Sequence, residues 1–368
     1  MMYGERLRQV RELSGLTQKD LAKEIFVPQP RLSNAERYDR ALPEAAMAEL
    51  SAVTGFPAAF FEASPGLNFM EEPVHFRAQT GASATQIRQA RRTGEVLAEQ
   101  ALRMRALLRA PRVMLGPLIG LPPKQAAAEV RATLNLSQTD PLNALPLLLE
   151  RKGVLVLGLP MPAFRRDAFS VWSQDVPILA LLDTNAGDRQ AWSCAHELGH
   201  LVLHPGLPTH REVEAEADEF AMHFLLPEST LRAEFPHAPT LQQFALLKRR
   251  WGVSIQSLIR AARRLEVIDG DRYTSLFRQI SARGERLRER AAIPPVKPRG
   301  FRKMAEMLYG PTPAVGLSRD AVWGLAFTEE VLSRHATTEE LPARRRTLGS
   351  ESGSNVYELA TRKMTAVK

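Results

Sequence analysis

At 368 residues the chain is long enough for two or three domains, and 44% hydrophobic content is ample for real cores. No apolar run reaches membrane-spanning length, the charged start MMYGERLRQVREL does not read as a secretory signal, and one cysteine excludes an intramolecular disulfide, so a cytoplasmic protein is expected. The net charge of +8 permits a nucleic-acid partner without demonstrating one.

Local support for such a partner comes first in chain order. Leu7, Val10 and Leu13 mark one helix, and Thr17-Gln18-Lys19-Asp20-Leu21-Ala22 opens a second, with Thr17 as N-cap and Asp20 completing a capping-box-like pair. After Phe26-Val27-Pro28, a third helix from Gln29 or Pro30 to Arg37 would turn Gln29, Arg31, Ser33 and Asn34 toward a major groove. Lys19, Lys23, Arg37 and Arg40 would meet phosphates. These residues resemble the Xre/Cro-type repressor fold, with Leu42, Met47, Leu50, Val53 and Phe60 supplying its later helices, and the resemblance implies DNA as a partner. There are two departures from that pattern. Phe26 stands in the turn where glycine is usual, and Pro28 and Pro30 make an unusual start to the recognition helix, although proline is tolerated in a first helical turn. A docking domain on the same scaffold is the alternative.

Ser64-Pro65-Gly66 is the expected boundary, giving a helix-turn-helix domain over 1–65 and a helical connector over 66–110. The connector holds a long Arg-rich helix, Ala84 to Leu108, whose Arg88, Arg91, Arg92, Arg103 and Arg105 read as a solvated face. Arg109 to Pro123 is loop-like, and Gln125 to Leu134 and Pro141 to Arg151 read as helices. Three short β-rich runs follow, Val154 to Leu157, Ala168 to Trp172 and Val176 to Leu182, the last two joined by a hairpin turn at Ser173-Gln174-Asp175.

The next stretch, Ala195 to His204, reads AHELGHLVLH and contains the H-E-x-x-H motif His196-Glu197-Leu198-Gly199-His200. On a helix, His196 and His200 lie one turn apart on one face and can reach a single tetrahedral Zn²⁺, while Glu197 is offset toward the reacting water. The third ligand must come from elsewhere. Glu212 begins a second amphipathic helix that runs to Pro227, and Glu214 is the chosen ligand because Asp218, four residues on, can hydrogen-bond a ligand histidine; Glu216 is the competitor. His204 shares the histidine face but lies two turns from His196, too far for the same metal. Cys194 reads as a small buried helix residue, and His75 as structural.

The strings DAFSVWSQDVPILALLDTNAGDRQAWSCAHELGHLVLH and EVEAEADEFAMHFLLP resemble the ImmA/IrrE metallopeptidases, bacterial zinc endopeptidases that commonly cut repressor proteins, over about Gly153 to Glu266. The resemblance implies His196, His200 and Glu214 as zinc ligands and Glu197 as the catalytic glutamate. A metallopeptidase domain is expected over 111–292, with helices at Leu241 to Leu247, Ser254 to Leu265 and Arg272 to Arg290. Ile293 to Gly300 reads as a linker, Phe301 to Tyr309 and Arg319 to Arg334 as a helical appendage within 293–368, and the end from Leu341 as a mobile tail.

The expected fold is therefore mainly α with a small β-sheet: a helix-turn-helix domain, an α+β zincin-like metallopeptidase domain and a helical C-terminal appendage. The expected function is that of a DNA-binding zinc metalloendopeptidase that cleaves a repressor or other regulatory protein in a stress response. A homodimer is compatible with it, and no membrane partner is expected. The alternative is a zinc-containing transcriptional repressor or antitoxin-like regulator without significant proteolysis.

Overall fold

The computed structural model of the chain describes residues 2–69, 83–162, 168–173, 175–183, 186–208, 210–286 and 288–340. It opens with α1 (Gly4–Leu13), α2 (Gln18–Glu24), α3 (Gln29–Tyr38), α4 (Glu44–Thr54) and α5 (Ala58–Glu62). The Thr17 hydroxyl accepts from the Asp20 amide while the Asp20 carboxylate accepts from the Thr17 amide, so the expected capping box starts α2. Phe26, in the turn between α2 and α3, takes φ 54° and is 81% exposed. A left-handed conformation costs an L-residue roughly 1–2 kcal/mol, and glycine gives part of that back through unfolded-state entropy. Phe26→Gly is therefore expected to stabilise the chain by about 1 kcal/mol. Urea unfolding checks this; a lower midpoint for the variant would mean that the ring contributes more than its backbone costs.

α6 (Ala84–Leu107) follows and lies against α1. Here the solvated-face expectation needs correcting. Arg92 is 1% exposed and forms ion pairs with Glu5 (2.7 Å), Glu12 (2.7 Å) and Glu95 (3.0 Å). Arg6 pairs with Glu99 at 2.5 Å, and the Gln9 amide donates to Glu95. Burial pushes Glu95 up to about 7, against the pull of the Arg92 guanidinium. Removing one member of such a cluster strands a buried charge, a loss of about 3–5 kcal/mol in comparable cases, so this cluster fastens the N-terminal helices to α6.

α7 (Pro123–Thr133) and the short α8 (Leu145–Glu150) lead into the sheet, β1 (Leu155–Pro162), β2 (Ala168–Ser173) and β3 (Val176–Asp183), in the order β1-β3-β2. β1 runs parallel to β3, and β2 antiparallel from Ala168 opposite Leu181 to Ser173 opposite Val176. Asp175 takes φ 61° in the connection, while Gln174 of the expected turn lies outside the described residues. β1 runs past the expected Leu157 to Pro162, and within that extension the Gly158 amide donates to the His335 imidazole at 3.0 Å.

Alternation along the strands gives the sheet two apolar faces. Val156, Ala168, Leu179 and Leu181 enter one core with α7 and with α9 (Gly187–Leu203) and α10 (Arg211–Leu225). Leu155, Leu157, Phe169, Val171, Ile178 and Ala180 enter the other, with the N-terminal helices and α6. Gly94 of α6 makes room for Phe169, since a Cβ there would meet the ring at 2.6 Å.

The first core is closed by α11 (Glu228–Glu234), α12 (Leu241–Trp251), α13 (Ile255–Arg264) and α14 (Gly270–Ala282), the last ending eight residues before the expected Arg290. The stretch that reads as a linker lies along α9. Ile293 accepts from the Gly187 amide at 2.8 Å, and the Gln190 side chain bonds both backbone groups of Val296. The Glu150 carboxylate takes the Arg299 and Gly300 amides at the start of α15 (Gly300–Tyr309), which buries Phe301 and Ala305 in the second core. The final expected helix is two, α16 (Ala314–Ala321) and α17 (Leu325–Ser333), broken at Val322, whose φ is 56°. All these elements fall within one compact unit, Met1–Thr337. The expected mobile tail lies outside the described residues, and no helix among those described is long and apolar enough to cross a membrane.

Candidate metal centre

The histidine pair is set by α9. The Trp172 indole N–H of β2 donates to the Leu201 carbonyl at 2.8 Å and ties the helix to the sheet, which leaves His196 3% and His200 0% exposed. α10 crosses α9 at Gly199, where a Cβ would lie 3.1 Å from the Phe220 ring and 3.2 Å from the Ala217 Cα. That close approach lets a carboxylate from the first turns of α10 reach the imidazoles.

Glu214 is the one that does so. Its carboxylate oxygens lie 3.6 Å from His196 Nε2 and 3.4 Å from His200 Nε2, and the two Nε2 atoms are 3.1 Å apart. A tetrahedral ion bound at about 2.0–2.1 Å requires donor–donor edges of roughly 3.3 Å, so two imidazole nitrogens and a carboxylate at these separations suit zinc in both type and spacing. His196, His200 and Glu214 form the sole cluster of this kind among the described residues. Glu216 is two residues on, roughly 200° around the helix, and is not part of it. Its carboxylate instead takes His204 Nε2 at 2.8 Å.

Asp218 is one turn beyond Glu214 and lies 2.9 Å from His196 Nδ1. Burial disfavours a charged His196, but the hydrogen bonds to Asp218 and Glu214 outweigh it and hold the imidazole up to about 9. Burial drives His200 down to about 4. Glu214 is raised by burial and lowered more strongly by its two histidines, so its carboxyl stays well below the usual carboxylate range.

Glu197 points to the sheet side. The Ser170 hydroxyl donates to Glu197 Oε2 at 2.7 Å, and Ser170 is fully buried. No motif announces Ser170; only the register of β2 against α9 brings it there. His204, 2% exposed, lies outside the ligand cluster, with its Nδ1 3.3 Å from His200 Nδ1. Cys194 is buried in the first core, and His75 lies outside the described residues.

The second set of candidates is on α3. Gln29, Arg31 and Asn34 are exposed and Ser33 is half-buried, while Leu32, Ala35 and Glu36 turn inward. The Glu36 carboxylate accepts from Arg11 at 2.5 Å and Gln18 at 2.8 Å, which fixes α3 against α1 and α2. Arg31, Asn34 and Arg40 line one open groove. Lys19, Lys23 and Arg37 are also exposed.

Comparison with known families agrees with both halves of this description. Residues 149–263 match the family model of a peptidase described as the IrrE N-terminal-like domain, and residues 7–61 match a helix-turn-helix family model. No curated protein matches the chain.

Proposed function

We propose that the chain is a cytoplasmic DNA-binding regulator whose IrrE-like region is a zinc metalloendopeptidase acting on a repressor or another regulatory protein. One observation carries this reading: His196, His200 and Glu214 bring three donors to tetrahedral spacing, with Glu197 beside them and not among them. Three protein donors and a neighbouring base are the pattern of a catalytic zinc site, whereas structural sites use four. His196 and His200 would hold the ion through Nε2, and Glu214 through a carboxylate oxygen. When bound, zinc supplies Lewis acidity for a peptide carbonyl and acidifies water. Glu197 accepts a proton from the attacking water and returns it to the leaving amine. Asp218 orients the His196 ring through Nδ1. The test is incubation of the zinc-loaded full chain with repressors encoded near its gene, with and without a chelator. Cleavage at a defined bond that the chelator abolishes is expected; repressors left intact under both conditions would count against the reading.

In the same reading α3 meets DNA, supported by the helix-turn-helix match and by the exposure of Gln29, Arg31 and Asn34. Arg31→Ala and Asn34→Ala should each cost about 1–3 kcal/mol of discrimination between sequences. Lys19→Ala should weaken binding to all duplexes alike and reduce its salt dependence. Gel shifts across a salt series measure both. Uniform binding by wild type and variants would favour the docking-domain alternative.

A further inference from the structure

Each histidine of the pair is approached at Nδ1 by a different group. His196 has the Asp218 carboxylate, whereas His200 has another imidazole, that of His204. We propose that His204 and Glu216 are positioning residues that act in series to hold the His200 ring for metal binding. The inference rests on reading His196, His200 and Glu214 as a zinc site.

Tautomer logic gives the chain its direction. His200 turns Nε2 toward His196 and Glu214, so a metal would be bound by the lone pair at Nε2 and the proton must reside on Nδ1. A neutral imidazole has one N–H and one acceptor nitrogen. His204 Nδ1, 3.3 Å away, must then accept, which places the His204 proton on Nε2. That nitrogen is 2.8 Å from Glu216 Oε2, a carboxylate that only accepts. Every donor in the series therefore meets an acceptor. With Glu216 removed, nothing in this series holds the proton on Nε2, and the tautomer with Nδ1–H would set two N–H groups against each other at His200.

Local structure explains how His204 gets there. It closes α9 as its C-cap with φ −125° and ψ 34°, outside helical values, and its amide still bonds the His200 carbonyl at 2.9 Å. The series also accounts for the glutamate left over on α10. Glu216 is half exposed and is turned away from the ligand cluster, yet one of its oxygens meets a histidine that is almost wholly buried.

The experiment measures zinc affinity of the full chain by competition with a chromophoric chelator, alongside the melting temperature of the metal-free protein. Glu216→Ala and His204→Ala should each weaken zinc about 10–100-fold while one site per chain is retained. Because Glu216 acts only through His204, the double variant should bind no more weakly than His204→Ala alone. His204→Gln, whose amide oxygen can accept the same proton, should recover most of the affinity. A merely structural histidine would lower the melting temperature and leave affinity unchanged. Wild type that binds zinc together with an unchanged Glu216→Ala affinity, or additive losses in the double variant, would overturn the series alone. Wild type that binds no zinc would overturn the metal centre and the series with it.

Discussion

His196→Ala, His200→Ala and Glu214→Ala are each expected to take zinc from about one ion per chain to nearly none after dialysis, while Glu216→Ala still fills its site at saturating metal. The two Nε2 atoms lie 3.1 Å apart, and the Glu214 carboxylate meets His200 with Oε1 at 3.4 Å and His196 with Oε2 at 3.6 Å, so deleting any one residue leaves two donors on one side of the ion. Two donors do not enclose it, and water must supply the rest. The loss should be close to complete because zinc affinity arises from simultaneous engagement of a preformed set, and each deletion also leaves the others without their partner. Glu214→Ala also removes a carboxylate that works against the burial of both imidazoles, second to Asp218 at His196 and without prevailing over burial at His200. Metal analysis decides the matter. Full occupancy in His196→Ala and His200→Ala would remove both from the site, and metal lost with Glu216→Ala but kept with Glu214→Ala would exchange the two glutamates.

What the sequence made legible here is what helical periodicity encodes. His196 and His200 four apart, and Glu214 and Asp218 four apart, each fall on one face of their helix, so the contents of the cluster can be read before any fold is known. The choice between Glu214 and Glu216 turned on the same periodicity. Ser170 could not be found this way, because its partner Glu197 is on another element and one residue of slip in β2 would have aimed Phe169 at α9 instead. His204 was read only by its distance from the metal; its contact with His200 does not require it to be a ligand. Arg92 failed for a different reason. A run of arginines looks solvated until the acids Glu5 and Glu12, some eighty residues earlier, are folded onto it. Ile293 to Gly300 looked like a linker because proline removes periodicity, yet its carbonyls and amides hold the start of α9.

The other large effect is expected of Glu197→Gln, which should keep zinc and fold yet lower cleavage of the partner protein by about 10²–10⁴-fold. Fold should survive because the substitution is nearly isosteric, and the Ser170 hydroxyl that now donates to Glu197 Oε2 can donate to an amide oxygen instead. Zinc should survive because Glu197 is not one of the clustered donors. Activity should not, since an amide cannot accept the proton of the attacking water. With binding intact and chemistry blocked, the variant should retain its substrate and can be recovered with it by pull-down. Co-expression with repressors encoded nearby, scored for cleavage, for DNA-binding phenotype and for zinc content, separates the outcomes. Cleavage by wild type, with trapping and equal zinc in the variant, fits a peptidase that uses Glu197 as its base. If wild type cuts nothing while the zinc-loaded variant preserves every regulatory phenotype, the same three ligands serve a zinc-bearing transcription factor, and the Ser170–Glu197 pair belongs to the packing of β2 on α9.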